Sequence, residues 1–327
     1  MGARSSAGGA RLSDDAWLDA WFAAGCSPIR MAEATGHSER AVIKRREALI
    51  RAGRDVPTLS ANPAYDDDTR AYPLCARLRL DDGVVLVGSD LHMQPGAIFP
   101  AFEAFVLACT ILDPVAVILN GDLGDHANLS RHVRIGWSRR VPLAAELGAV
   151  QTALRRVRAA CTRRRGTTFL RTVGNHDIRF DGRLSNCAPE FEGIAGARLS
   201  DHLPDWPESW RVHINDDVVV KHRFRGGVHA AWNNTMNAGM TVVTGHTHAL
   251  EVKPKADYRG RRWGVQCGML ADPAHPQFDY AEGNPAEWCA GFVALTFRGG
   301  RLLPPEICEV HDGFAMFRGS LLGQVRG

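Results

Sequence analysis

Val115-Ala116-Val117-Ile118-Leu119 runs into Asn120-Gly121-Asp122, and Phe169-Leu170-Arg171-Thr172-Val173 runs into Gly174-Asn175-His176-Asp177. Between these two runs, Leu143, Leu147, Val150, Leu154, Val157 and Cys161 recur at alternating spacings of four and three, which places them on one stripe of a helix. Short apolar runs suit buried strands. A strand, a helix and a second strand make the signature of an α/β fold.

The same texture extends in both directions. Val84 to Val87 leads into Ser89-Asp90, Val218 to Val220 into His222, and Thr241 to Thr244 into Gly245-His246-Thr247-His248. Each strand end therefore delivers residue types that bind metals. Asp90-x-His92 and His246-x-His248 each place two ligand types two positions apart, so that both can project from one turn. Asp122 follows Gly121, whose missing side chain permits the sharp turn that would bring the carboxylate inward. Active sites of open α/β folds lie where strand carboxyl ends meet loops. A lone His or Asp at a strand end is more often a cap or a turn residue, but five such ends with oxygen and nitrogen ligands are poorly explained as turns.

The ordered set Asp-x-His, Gly-Asp, Gly-Asn-His-Asp, His, Gly-His-x-His, spanning Asp90 to His248, resembles the signature of the calcineurin-like metallophosphoesterases. The resemblance implies a four-layer αββα sandwich and two neighbouring metal ions. Carried over by motif, Asp90, His92 and His248 would hold one ion, Asp122 would bridge both, and Asn175, His222 and His246 would hold the other. His222 competes with His229 for the single-histidine position and is preferred because it directly ends the run Val218-Val219-Val220. Mixed carboxylate, amide and imidazole ligands suit Mn²⁺, the expected ion, or Fe²⁺ or Zn²⁺, better than Mg²⁺ or Ca²⁺. The resemblance further implies attack on phosphorus by a metal-bridging hydroxide, with His176 as general acid and Asp125 as the residue that holds its ring. Asp177 could either fix the loop or take part in the chemistry.

The protein serine/threonine phosphatases of the family carry Asp-Arg-Gly where this chain has Asp125-His126-Ala127, and Gly174-Asn175-His176-Asp177 resembles instead the phosphodiesterase and DNA-repair nuclease branches. The expected substrate is therefore a phosphodiester of nucleic acid, DNA foremost. The alternatives are a small-molecule or nucleotide phosphatase and a non-catalytic DNA-binding scaffold. Arg223 and Arg225, followed by Gly226-Gly227, are candidate phosphate contacts, and His126 could either grip phosphate or be a solvent-exposed loop residue. Arg131, Arg134, Arg139, Arg140, Arg155, Arg156, Arg158 and Arg163 to Arg165 could line a groove for a nucleic-acid backbone or form the wet face of the helix between them. Trp137, among these arginines, could stack on a base or be packed.

Ahead of this region, residues 1–58 predict three short helices: Asp15 to Ala24, a second capped by Ser27 with Pro28 at its first position and ended by Gly36, and a third capped by Ser38 and running from Glu39 to about Arg51. The pattern resembles a helix-turn-helix. In the third helix Arg40, Lys44, Glu47 and Arg51 form a polar side and Val42, Ile43, Leu49 and Ile50 an apolar side. This segment could enter a DNA groove or dock protein. The organisation expected is thus a helical segment at 1–58 behind a disordered tail, an acidic, Pro-containing linker at 59–71 and a catalytic domain at 72–327. The layout is similar to that of phage- and prophage-encoded metallophosphoesterases.

With 327 residues and a formal charge of +3, the whole molecule is not a polycation, so attraction to phosphate must come from local patches. The eight cysteines (26, 75, 109, 161, 187, 267, 289 and 308) contain no Cys-x-x-Cys pair, which argues against a thiolate zinc site. A reducing, cytoplasmic setting is expected, with neither a signal peptide nor a membrane span.

Overall fold

The five apolar runs that end in ligand residue types are all strands. The computed structural model describes residues 12–24, 28–54, 56, 70–134, 136–137, 140–162, 166–283 and 287–324. The tail through residue 11, Cys26, the cap at Ser27, the linker from 59 to 69, Arg139 and Arg163 to Arg165 lie outside the described residues. The chain divides into two compact units, Met1–Arg70 and Ala71–Gly327.

The first unit contains α1 (Asp14–Ala23), α2 (Pro28–Thr35) and α3 (Glu39–Arg51). Ser38 caps α3, its hydroxyl accepting from Ala41 N at 3.3 Å. Trp17, Trp21, Met31, Val42 and Leu49 form a small core. Arg45 pairs with Asp14 at 2.7 Å, and Arg54 pairs with Asp15. Arg40, Lys44, Glu47 and Arg51 are exposed as expected, but Ile50 is also exposed, at 45%. Val42 and Leu49, seven residues apart, occupy the buried line. Ile43 and Ile50 lie one residue further on, rotated about 100° away from it.

The second unit begins with β1 (Ala76–Leu78), β2 (Gly83–Gly88), α4 (Pro100–Leu112), β3 (Ala116–Asn120), α5 (Leu143–Ala160), β4 (Thr168–Thr172), α6 (Ile178–Cys187) and α7 (Leu199–His202). It continues with β5 (Glu208–Ser209), β6 (Val212–Ile214), β7 (Val218–Lys221), α8 (Ala230–Ala238), β8 (Thr241–Thr244), β9 (Leu250–Asp257) and β10 (Gly260–Cys267). The last strands are β11 (Gly291–Arg298), β12 (Arg301–Leu302), β13 (Glu306–His311), β14 (Phe314–Phe317) and β15 (Ser320–Gln324).

These strands form two sheets. One has six strands in the order β1-β6-β7-β8-β10-β9, and the other nine, with path β15-β14-β13-β11-β2-β3-β4-β5 and β12 on β11. Side chains alternate across the larger sheet. Val85, Val87, Ala116, Ile118, Val293 and Leu295 meet the other sheet's Val218, Val220, Val243 and Val265 in one core. Leu86, Val117, Leu119, Phe292 and Ala294 face the opposite way, onto Phe102, Phe105, Val150 and Leu154 of α4 and α5. On the far side of the smaller sheet, α8 packs on β8, β9 and β10. The layer order is helix, sheet, sheet, helix: an α/β sandwich of four layers.

The expected stripe of α5 is buried at Leu147, Val150, Leu154 and Val157, and Glu146 is buried beside it. The seven described cysteines are free. Among the described residues no helix is long and apolar enough to cross a membrane.

Candidate metal centre

Two sets of parallel neighbours deliver the ligands. β2, β3 and β4 are adjacent and parallel, so their carboxyl ends set Asp90, Asp122 and Asn175 side by side. In the other sheet β7 and β8 are parallel neighbours and end at His222 and His246. Asn120 stitches the two sheets where they meet. Its amide nitrogen donates to Lys221 O at 3.3 Å, its amide oxygen accepts from Thr172 Oγ1 at 2.7 Å, and it is fully buried.

The seven metal-ligand candidates converge. Asp90, His92 and His248 form one group, and Asp122, His222 and His246 a second, with the donor atoms of each group within 4.8 Å of one another. Donors about 2.0–2.2 Å from a shared ion stand up to about 4.4 Å apart, so groups of this spread need only a small contraction to hold a cation. Asn175 Oδ1 lies 3.1 Å from His222 Nε2, at the second group. His229 is instead exposed at the start of α8, whereas His222 is buried within the cluster.

The two buried aspartates are each tied on one oxygen and turn the other toward the histidines of the cluster. Asp90 Oδ2 accepts from Ser89 Oγ at 2.5 Å and His246 N at 2.9 Å, while Oδ1 has no hydrogen-bond partner among the described residues. Asp122 Oδ1 accepts from His176 N at 2.8 Å, and its Oδ2 lies 3.1 Å from His222 Nε2. His222 Nδ1 bonds the carbonyl of Asn120 at 2.7 Å, which fixes the ring and leaves Nε2 pointing at the carboxylates. Both ring nitrogens of buried His92 likewise have no hydrogen-bond partner among the described residues. An orphaned buried polar atom costs about 1–3 kcal/mol. The donor set fits divalent cations, which would satisfy Asp90 Oδ1 and the His92 ring together.

Electrostatics point the same way. Burial pushes the His222 pKa down, but Asp122 and Asp90 outweigh it and lift the ring to about 9. Burial raises the Asp90 carboxyl, yet His222 and His248 hold it at about 2. The negative potential of the two carboxylates that favours a cation on the His222 ring equally favours a metal cation in its place. His92 is pushed to about 3 by burial and by His176, so its ring stays neutral and able to ligate.

The backbone is bent to achieve this. Asp90, His92, Asp122, His246 and His248 all have positive φ, between 41° and 69°. Left-handed backbone is uncommon outside glycine, with Asp, Asn and His the best tolerated. Each such residue costs on the order of 1–3 kcal/mol and persists where its surroundings dictate it. Gly174 is a further geometric necessity, since a Cβ there would fall on the backbone N and side chain of Asp122.

His176 and Asp125 are adjacent as expected. His176 Nδ1 lies 2.8 Å from Asp125 Oδ1 and 2.9 Å from the Asp125 carbonyl. Burial opposes a charge on His176, but Asp122 and Asp125 raise its pKa overall.

Of the two roles open to Asp177, loop or chemistry, its contacts are those of a loop anchor. It accepts from Asp122 N at 3.0 Å, Leu123 N at 3.1 Å and Gly174 N at 2.8 Å. His126 is not at the opening of the site. Its ring is buried against Glu146, 3.5 Å away, and Phe180, because Glu146 of α5 also accepts from His126 N at 2.7 Å and draws the residue inward. Arg225 is exposed beside α8, its backbone bonded to Asn234. Arg223, by contrast, lines a cavity together with Asn175. Trp137 is fully exposed rather than packed. The arginines of α5 are its wet face: Arg156 grips Glu103 at 2.6 and 2.7 Å, and Arg158 stacks on Phe169.

Sequence reasoning missed two residues. Arg179, at the second position of α6, donates to Asp125 O at 2.7 Å and lies 3.2 Å from His176 Nε2. Its signal was available, since it follows His176 by three residues at helical spacing. Tyr280, half exposed, has a hydroxyl pushed up to about 12 by burial and by Asp125 and Asp90, which places it within reach of the cluster's field. No local signal marks it, because it comes from a segment far along the chain.

No family model matches the chain. It is 30% identical over 159 residues to the Gene 54 protein of Mycobacterium phage L5, covering 43% of this chain and 60% of that protein. The Gene 54 protein of Mycobacterium phage D29 is also 30% identical, over 162 residues, with 44% and 62% covered. The match thus spans under two thirds of the length of these curated relatives. Among solved structures, wild-type Vps29 from Entamoeba histolytica, complexed with Zn²⁺, superposes with a TM-score of 0.40 at 14% identity, covering 73% of this chain and 99% of that one.

Proposed function

We propose that the chain is a two-metal phosphoesterase that hydrolyses phosphodiester bonds of nucleic acid, DNA foremost, with residues 1–58 recruiting the substrate. The observation that carries this reading is the convergence of Asp90, His92, His248, Asp122, His222 and His246 into two donor groups beside the hydrogen-bonded pair Asp125 and His176. Divalent cations held there, Mn²⁺ foremost, supply Lewis-acid charge to the phosphate and a nucleophile at neutral pH.

The chain's own residues do the rest. The asymmetric tying of Asp90 and Asp122 keeps one oxygen of each carboxylate at the centre, so the cage is preformed. Asp125 accepts a hydrogen bond from Nδ1–H of His176, which holds the ring so that Nε2, 3.8 Å from Asp122 Oδ2, can protonate a leaving oxygen. Arg179 stands 3.2 Å from that Nε2. For His176 to carry its second proton there, the guanidinium must turn away, and a phosphate oxygen is the partner that would draw it.

The test is hydrolysis of bis-p-nitrophenyl phosphate, thymidine monophosphate p-nitrophenyl ester and oligodeoxynucleotides by the full chain with Mn²⁺. His176→Ala should lower kcat on DNA by about 10²- to 10⁴-fold. Undiminished turnover in that variant rejects the assigned acid. Turnover of mononucleotides with no cleavage of DNA or RNA would replace the nuclease reading with a nucleotide phosphatase.

A further inference from the structure

A cavity of about 540 Å³ opens beside Asn175. Its wall carries Arg131, His132, Arg179, Arg183 and Arg223, and among the described residues no Asp, Glu, Phe, Tyr or Trp lines it. Arg179 is engaged with Asp125 and His176. Among the described residues, the side chains of Arg131, Arg183 and Arg223 have neither a carboxylate nor a carbonyl partner. These groups come from three separate parts of the chain: the loop after β3, helix α6 and the turn after β7.

Like charges gathered around one concavity without a counter-ion repel each other, and an anion seated between them removes the repulsion. Guanidinium forks match phosphate oxygens in pairs. A volume of this order holds one nucleotide-sized unit. Pockets that select a base offer large aromatic faces, and this wall, among the described residues, has no Phe, Tyr or Trp and only the ring of His132 beside its guanidinium groups.

We propose that this cavity is a second phosphate subsite, which grips the phosphate of a phosphodiester chain adjacent to the one presented to the metal-ligand cluster. The proposal rests on the phosphoesterase reading above and deepens it, since it makes the substrate a chain with at least two phosphates, read through its backbone rather than its bases. The loop that supplies Arg131 and His132 also holds Val133 and Trp137 out to solvent, so the strand's path has an open side along that loop.

The experiment is fluorescence anisotropy of a fluorescein-labelled oligothymidylate titrated with the full chain in EDTA at several salt concentrations. The double variant Arg131→Gln/Arg183→Gln should weaken binding by tenfold or more. The slope of log affinity against log salt should become shallower by about 0.7 for each phosphate that is no longer neutralised. Arg156→Gln, whose side chain is held by Glu103 away from the cavity, serves as the control. Unchanged affinity and slope in the double variant, or a weakening equal to that of Arg156→Gln, overturns the subsite. Dependence on these arginines for thymidine triphosphate but not for oligothymidylate overturns it as well. Hydrolysis of bis-p-nitrophenyl phosphate by the wild-type chain with Mn²⁺ tests the underlying reading separately. Its absence rejects the phosphoesterase, whereas a metal-free binding result rejects only the subsite.

Discussion

Replacing Asp177 with alanine removes the acceptor shared by the backbone N–H groups of Asp122, Leu123 and Gly174. Asp177 is 1% exposed, so bulk water does not reach the gap. A hydrogen bond to a charged group contributes about 1.5–3 kcal/mol, and a stranded buried donor costs about 1–3 kcal/mol. Three stranded donors, offset by no longer having to bury a carboxylate, leave a net loss of about 3–5 kcal/mol. That lies at the upper end for a single substitution. It corresponds to roughly 2–4 °C in Tm for each kcal/mol in a domain near this size. The three donors sit on the turns that carry Asp122 and Asn175, so Mn²⁺ affinity should fall along with stability. Urea unfolding in EDTA measures the first effect, and calorimetric Mn²⁺ titration below the unfolding transition measures the second. Asp177→Asn, which keeps one acceptor oxygen, should fall between wild type and alanine. A loss below about 1 kcal/mol with unchanged Mn²⁺ affinity would show that Asp177 does not hold these turns.

Three other outcomes are expected. His222→Ala should bind one Mn²⁺ rather than two by native mass spectrometry, because it removes a member of only one donor group; two retained ions would reject the assignment of His222. Mn²⁺ at a hundredfold its Kd should stabilise the protein by about 2.7 kcal/mol per site, read as a rise in Tm that EDTA reverses, and a flat titration would reject the metal centre. Deleting residues 1–58 should weaken binding to duplex DNA while turnover of a small diester persists. Equal affinity of the truncated and full chains would reject a recruiting role for α1 to α3.

Much of the centre was legible along the chain because its determinants are local. An apolar run of four or five residues followed by Asp, Asn or His specifies a strand end and a ligand type within one short window, as at Val84 to Asp90 and Thr241 to His248. The run Val218-Val219-Val220 is the sequence reason to prefer His222 over His229, and in the fold His222 is buried while His229 is exposed. Where a local rule was applied to a side chain whose surroundings are distant, it failed. His126 reads as a loop residue open to phosphate, yet Glu146, on the next helix, buries it. Ile50 reads as core, yet it is exposed, while Val42 and Leu49 carry the buried line of the helix.

Which residues end strands, which of them are cation-ligand types, and the alternation of strand and helix after residue 72 were all readable along the chain. Only the tertiary structure decided that the ligands come from two sheets, that Asn120 joins those sheets, that Asp177 ties the turns, and that Arg179 reaches His176. The physical reason is range. Propensity and turn chemistry act over a few neighbours, whereas burial, hydrogen-bond satisfaction and charge compensation depend on groups that pairing of distant strands brings within about 3 Å of one another.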